Sequence, residues 1–177
     1  GFCSVIMEGR GLPAKAAFPD SFSYGNEAVE TVSYDPEGAK KLLEESGWKD
    51  TDGDGYADKD GQKLTIDWLT YPTRLEQPKL AEYAQATLKE IGIDVVVNNT
   101  SDHMTYAADG NFDVYVSSTT TAPTGDPEYF FTSTVVGPKN YGKYENKEVT
   151  ALTEKLHQAF EPEERAKLAT ELQQKIL

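Results

Sequence analysis

Hydrophobic positions along this chain switch between a spacing of three to four residues and a spacing of two. Ala39, Leu42 and Leu43 form a stripe that stops at Gly47, with Asp35 as a suitable N-cap and Pro36 at the first helical position, which predicts a helix over residues 36–46. Leu64, Ile66 and Trp68 then alternate with Thr65, Asp67 and Leu69, the pattern of a strand with one buried face. Pro78 opens a second helical stripe (Leu80, Tyr83, Ala84, Thr87, Leu88, Ile91) that Gly92 closes in the C′ position. Ile93, Val95 and Val97 return to the spacing of two. Residues 102–109 read as a short helix ended by Gly110, and Phe112–Ser117 as a third strand. The order β-α-β-α-β implies parallel strands joined by right-handed crossovers, hence an α/β fold with a parallel-type sheet and flanking helices. Beyond it, Asn146 caps a helix with Val149, Leu152, Leu156 and Phe160 inward, and Pro162 opens another with Leu168, Ala169, Leu172 and Ile176 inward. The first 33 residues, rich in Gly, Pro and Ser, read as mostly loop with a short helix at the start.

Composition narrows the function classes. The 177 residues carry 17 Lys and Arg against 30 Asp and Glu, a formal charge of −13. Lys and Arg form no cluster, so nucleic acid is excluded as a partner, and an anionic membrane surface with it. The longest apolar stretch, residues 91–97, is interrupted by Gly92 and Asp94, far short of the roughly 20 residues that span a bilayer. Length and an apolar content of 38% fit one folded unit, residues 1–177. The chain starts at Gly without a signal peptide, and its last residues read as uncapped helix; the expectation is a piece of a longer protein. Cys3, in the apolar run with Phe2, Val5 and Ile6, reads as a buried inert thiol.

Two loops carry candidate chemistry. In the first, Asp50, Asp52, Asp54 and Asp58 occupy positions 1, 3, 5 and 9, Gly55 position 6, and Tyr56 offers a carbonyl at position 7, the oxygen donors a hard cation needs. Seven acidic and two basic residues fall between Glu44 and Asp60, a local charge of −5. The cation that suits this set is a structural Ca²⁺, and a calcium-dependent interaction module is the alternative reading of the chain. Position 12, however, is Gly61 where an EF-hand has its bidentate Glu, and a strand follows where an EF-hand has a helix. A solvated turn uses the same residue types. The second loop, Ser117 to Pro127, lies just past the third strand. Ligands of open α/β sheets sit outside the carboxyl ends of strands, so Thr119, Thr120, Thr121, Thr124 and Asp126 are the candidate ligand-binding residues. Asp126 can equally cap the short helix begun by Pro127. His103 and His157 read as ordinary helix-surface residues. No Gly-x-Ser-x-Gly, His-Glu-x-x-His, phosphate-loop or dinucleotide motif is present, so no catalytic residue is assigned, no cofactor is required and an enzyme is not expected.

Several stretches, taken in order, resemble one family. They are Tyr34-Asp35-Pro36-Glu37-Gly38-Ala39-Lys40-Lys41-Leu42-Leu43-Glu44-Glu45-Ser46-Gly47-Trp48, Ile91-Gly92-Ile93-Asp94-Val95, Asn111-Phe112-Asp113-Val114, Gly125-Asp126-Pro127, Asn140-Tyr141-Gly142-Lys143-Tyr144-Glu145-Asn146-Lys147-Glu148-Val149 and Pro162-Glu163-Glu164-Arg165. The chain resembles the extracytoplasmic solute-binding proteins of ABC importers for oligopeptides, dipeptides and nickel. The resemblance implies most of the carboxy-terminal lobe of a two-lobed periplasmic-binding-protein-like fold, with the amino-terminal lobe absent from this chain. It implies a peptide, nickel, metal-chelate or other small polar ligand, an ABC permease as membrane partner, and an extracytoplasmic location, in the periplasm or lipoprotein-anchored on the outer face of the cell membrane. It also places ligand contacts in residues 118–126. There the sequence departs from the better-known subtypes: Pro123 stands where dipeptide binders carry an Asp for the ligand's ammonium group, Thr120 and Thr124 stand where nickel binders have aromatic residues, and the segment around Asn140 and Tyr141 lacks the nickel binders' histidine.

Overall fold

The computed structural model describes all residues, 1–177. The chain gathers into two compact units: residues 1–11 with 33–117, and residues 12–32 with 118–177.

The first unit contains the parallel sheet. After the four-residue helix α1 (Phe2–Val5), helix α2 (Pro36–Glu45) starts as its sequence dictates, with the Asp35 carboxylate accepting from the Gly38 N–H at 2.9 Å. Its stripe is less buried than its spacing suggests, Leu42 being exposed and Leu43 half-buried. A hairpin the periodicity did not announce follows: β1 (Asp58–Lys59) and β2 (Gln62–Lys63) pair antiparallel across Asp60-Gly61, both with positive φ. Strand β3 (Thr65–Thr70), helix α3 (Glu76–Lys89), strand β4 (Asp94–Asn99), helix α4 (His103–Asp109) and strand β5 (Val114–Tyr115) then complete the expected β-α-β-α-β order. The sheet order is β4-β3-β5, all parallel, with Thr65 opposite Asp94 and Trp68 opposite Val114.

Two boundaries move from those expected. Helix α3 begins at Glu76, two residues before Pro78, because a proline within the first turn lacks only an N–H that is an orphan there anyway. Strand β5 keeps two of six expected residues. Gly92 closes α3 as its sequence suggests: at φ +84° it lets Ile93 N–H reach Leu88 C=O (3.0 Å), and its own carbonyl accepts from Ala57 N–H at 2.7 Å. Cys3 is half-buried, not enclosed. Leu69, Thr70 and Val95 are the most buried strand residues of this unit, with Ala81 of α3 fully enclosed.

The second unit is helical. Helix α5 (Glu128–Phe130) runs into a π turn over Phe131–Val135; α6 (Lys147–Gln158) and α7 (Pro162–Ile176) follow. Asn146 caps α6 by accepting from Glu148 and Val149 N–H. The core unites Phe131, Val149, Leu152, Leu156, Ala169 and Leu172 with Phe18 and Tyr24, so the segment read as loop is part of this core. Phe18 meets Tyr24, Phe130 and Phe131 at centroid distances of 5.0–5.9 Å. Gln173 Nε2 donates to Tyr24 C=O (2.8 Å), holding that segment to α7. Phe160, expected inward, is exposed because α6 stops at Gln158 and Ala159 turns to extended backbone, so the helical spacing no longer governs it; Ala159 is buried instead.

Arg165 ties this unit together. Its Nη1 donates to the carbonyls of Leu156 (2.8 Å) and Ala159 (2.6 Å) at the end of α6. Its Nη2 reaches both Asp126 oxygens (2.7 and 2.8 Å) and Glu128 Oε2 (3.1 Å). Glu128 Oε1 also accepts from His157 Nδ1 at 2.6 Å. Arg165→Ala is expected to cost about 2 kcal/mol, since it removes hydrogen bonds from two carboxylates and two carbonyls together, although Glu128 keeps His157 and Asp126 is partly solvated; urea unfolding measures this, and a loss below about 0.5 kcal/mol would show the clamp to be idle. The His157 hydrogen bond, and after it Arg165, hold the Glu128 carboxyl below its ordinary value of 4.5, against the opposing effect of burial. A carboxyl whose folded-state pKa is depressed stabilises the fold fully above its unfolded value and loses that stabilisation as pH falls through the folded one. The stability difference between wild type and Glu128→Gln is therefore expected to shrink as thermal melts are taken from about pH 6 to about pH 3.

Candidate functional site

The parallel sheet sends the carboxyl ends of its three strands to one edge, where α/β folds bind ligands. Each strand delivers an aromatic or imidazole side chain there. Tyr71, buried, follows β3; His103 opens α4 four residues after β4 ends; Tyr115 closes β5. The His103 ring lies flat on Tyr71, with centroids 4.1 Å apart and planes at 19°, and its Nδ1 is 2.7 Å from the Tyr115 hydroxyl. Tyr115 also approaches Met104 Sδ at 3.9 Å and the Phe112 ring at 5.7 Å. His103 is thus no ordinary surface residue. The helix spacing put it on α4 correctly, but its stacking partner is 32 residues away and only the parallel pairing brings it near.

The loop that follows belongs to the second unit. Thr119, Thr120, Thr121 and Thr124 are exposed, their hydroxyls offered to solvent. The base of the loop is fixed. Gly125, at φ +73°, donates its N–H to Ala122 C=O (2.9 Å), its carbonyl accepts from the Tyr24 hydroxyl, and the Phe22 ring sits where a Cβ would be. Burial, and then the nearby Asp126 carboxylate, push the Tyr24 phenol above its ordinary value, which keeps it a donor. Asp126 receives Arg165 and caps Glu128 N–H at 2.8 Å, so its carboxylate acts inside the fold, anchoring the threonines. Arg165 itself had been visible only as part of the Pro162-Glu163-Glu164-Arg165 stretch; its partner is 39 residues away in sequence.

The acidic loop splits the five residues first grouped for a cation. Asp50, Asp52 and Asp58 bring carboxylate oxygens within 4.8 Å of one another. Asp54 turns to Lys63, with Oδ2 2.7 Å from Nζ, and this hydrogen bond is the main reason its carboxyl titrates low. Tyr56 carries the Lys63 and Lys89 ammonium groups over its ring, at 4.3 and 5.5 Å from the centroid, and donates its backbone N–H to Asp54. Asp50 accepts from the N–H groups of Gly53 and Gly55, and Asp58 from Thr51 N–H and Oγ1. Much of the repulsion expected among these carboxylates is therefore met by backbone donors and by lysine from the strand that follows.

Residues 2–142 match the model of the bacterial extracellular solute-binding proteins, family 5 Middle. A nickel-binding periplasmic protein of Escherichia coli is 34% identical over 122 residues, 68% of this chain and 23% of the relative. An oligopeptide-binding protein of Bacillus subtilis, AppA, is 37% identical over 94 residues, 52% of this chain and 17% of the relative. Among solved structures, NikA from Staphylococcus aureus in complex with Ni(L-His)2 superposes on 99% of this chain with a TM-score of 0.81 at 26% identity, and the chain covers 36% of it. The same share of AppA in complex with a nonapeptide is covered at a TM-score of 0.78 and 26% identity. The chain thus spans between about a fifth and about a third of the length of these relatives, and the fold is part of that of the periplasmic binding proteins. With the family model matched over residues 2–142, this chain belongs to the family 5 bacterial extracellular solute-binding proteins.

Proposed function

We propose that the chain is a ligand-binding portion of the solute-binding component of an ABC importer. It captures a peptide, a metal chelate or a similar small polar solute outside the cytoplasm for delivery to a membrane permease. The observation that carries this reading is the family match over residues 2–142 together with relatives and structural neighbours that bind nickel and oligopeptides. The threonine loop supports it from the chemistry. Hydroxyls both donate and accept, so Thr119, Thr120, Thr121 and Thr124 suit the carbonyl and amide groups of a peptide as well as the carboxylates of a chelate. Their base is held by Arg165, Tyr24 and Gly125, which lowers the entropy lost when a ligand orders them. No group in the chain is assigned to bond making or breaking, and hydrogen bonding with enclosure is sufficient for capture. No helix of the chain is long and apolar enough to cross a membrane.

The test uses the full-length protein that carries this chain. Native mass spectrometry of the purified protein is expected to find a small ligand, and replacing Thr120 and Thr124 together by Val should weaken its binding about tenfold, roughly one hydrogen bond's worth, with the melting temperature unchanged. Affinity that stays the same would remove the threonine loop from the site. A protein that captures neither peptide nor metal complex would remove the transport reading.

A further inference from the structure

Independently of the importer reading, we propose that Asp60 is a site of spontaneous covalent modification, where the chain rearranges through a cyclic imide with Gly61 to isoaspartate. The chain contains four Asp-Gly steps, Asp52-Gly53, Asp54-Gly55, Asp60-Gly61 and Asp109-Gly110, and no Asn-Gly step. All eight residues are exposed. As sequence the four steps are alike, because glycine has no side chain to obstruct the ring. The fold separates them.

The reacting atoms are the glycine backbone nitrogen and Cγ of the aspartate before it. The nitrogen attacks Cγ and an N–Cγ bond forms, while the amide proton and the carboxyl hydroxyl leave together as one water. Water then adds back to one of the two imide carbonyls. Cleavage of the new N–Cγ bond restores aspartate; cleavage at the backbone carbonyl leaves the main chain running through the side-chain carbon, as isoaspartate. No oxidant or other reactant is consumed, and the mass is unchanged overall. Attack requires the nitrogen to give up its proton and turn toward the carboxyl, so an N–H already donated to an acceptor opposes it.

Three of the four glycines are held in that way. Gly53 N–H donates to Asp50 Oδ1 at 2.7 Å, and Gly55 N–H to Asp50 Oδ2 at 3.0 Å. Gly110 N–H closes α4 on Ala107 C=O at 3.1 Å. Asp54 is restrained a second time, with Oδ2 2.7 Å from Lys63 Nζ and Oδ1 accepting from Tyr56 N–H, so its carboxyl stays ionised and its oxygen leaves poorly. Asp60-Gly61 has neither restraint. It is the two-residue turn of the β1–β2 hairpin, whose pairing of Lys59 with Gln62 uses the groups on either side and leaves Gly61 N–H without an acceptor. No atom outside the turn lies within 4 Å of the place a Cβ on Gly61 would take, so the nitrogen has room to move. Isoaspartate there inserts one extra atom into a turn whose residues both have positive φ. The register of Asp58 with Lys63, and with it the Lys63–Asp54 pair, would be disturbed.

The test stores the full-length protein that carries this chain at neutral pH and body temperature for several weeks. Isoaspartate at each step is then counted by peptide mapping and by methyl transfer from S-adenosylmethionine with an isoaspartyl methyltransferase. Position 60 is expected to carry at least about fivefold more than 52, 54 or 109, the factor that one hydrogen bond on the glycine nitrogen corresponds to. In concentrated urea, where these bonds do not persist, the four steps should age at similar rates. Asp50→Ala with an unchanged circular dichroism spectrum should raise isoaspartate at 52 and 54 by about the same factor, since it frees both glycines. As much isoaspartate at any other step as at 60 in the folded protein overturns the assignment, as does an equal excess at 60 in urea. Folded Asp50→Ala that ages at 52 and 54 no faster than wild type removes its hydrogen-bond basis.

Discussion

The parallel pairing of β3 with β4 on one side and β5 on the other is the constraint on which the first unit depends. Parallel strands run in one direction, so each must return through a crossover, and every strand ends at the same edge. That directionality puts Tyr71, His103 and Tyr115 together although they are separated by a helix or more of chain. An antiparallel arrangement of the same elements would scatter them to opposite ends. The crossovers are secured locally: the Schellman closure at Gly92 turns α3 directly into β4, and Gly110 in the left-handed conformation does the same after α4.

In the second unit a single guanidinium has the corresponding role. Helix α6 ends with carbonyls only partly satisfied by its own backbone, Leu156 C=O accepting from Ala159 N–H at 3.3 Å, and the following proline cannot extend the helix. Arg165 fills that gap from the first turn of α7 and, with its other nitrogen, receives Asp126. The same side chain thus closes a helix end and anchors the loop that presents the threonines. Planar, forked geometry makes this feasible for arginine where lysine would offer a single point charge. The bond between Glu128 and His157 adds a titratable member to the cluster.

The acidic loop shows how local pattern underdetermines chemistry. Its spacing of Asp and Gly suits a cation, and three of its carboxylates do come together. Asp54 instead pairs with Lys63 on a later strand, and the Tyr56 ring carries Lys63 and, from a later helix, Lys89. Charge neutralisation here comes partly from N–H and hydroxyl donors within the loop and partly from Lys63, a neighbour that residues 50–58 alone do not supply.

The sequence by itself determined the main helices and the β-α-β-α-β order, because helix caps, glycine stops and hydrophobic period act over a few residues. It placed the caps Asp35 and Asn146, the stops Gly92 and Gly110, and the candidate loop after the third strand. It missed the short hairpin at Asp60-Gly61, and it took residues 12–32 for simple loop although Phe18, Tyr24 and Val29 are buried there. Irregular backbone imposes no period on its apolar residues, so burial there leaves no trace in the pattern. Only the tertiary structure decided that Phe160 faces solvent, that Asp126 binds Arg165 and that His103 lies on Tyr71. Each of these depends on groups 30 to 40 residues apart or on the residue where a helix actually stops, and such partners are chosen by the packing of whole elements.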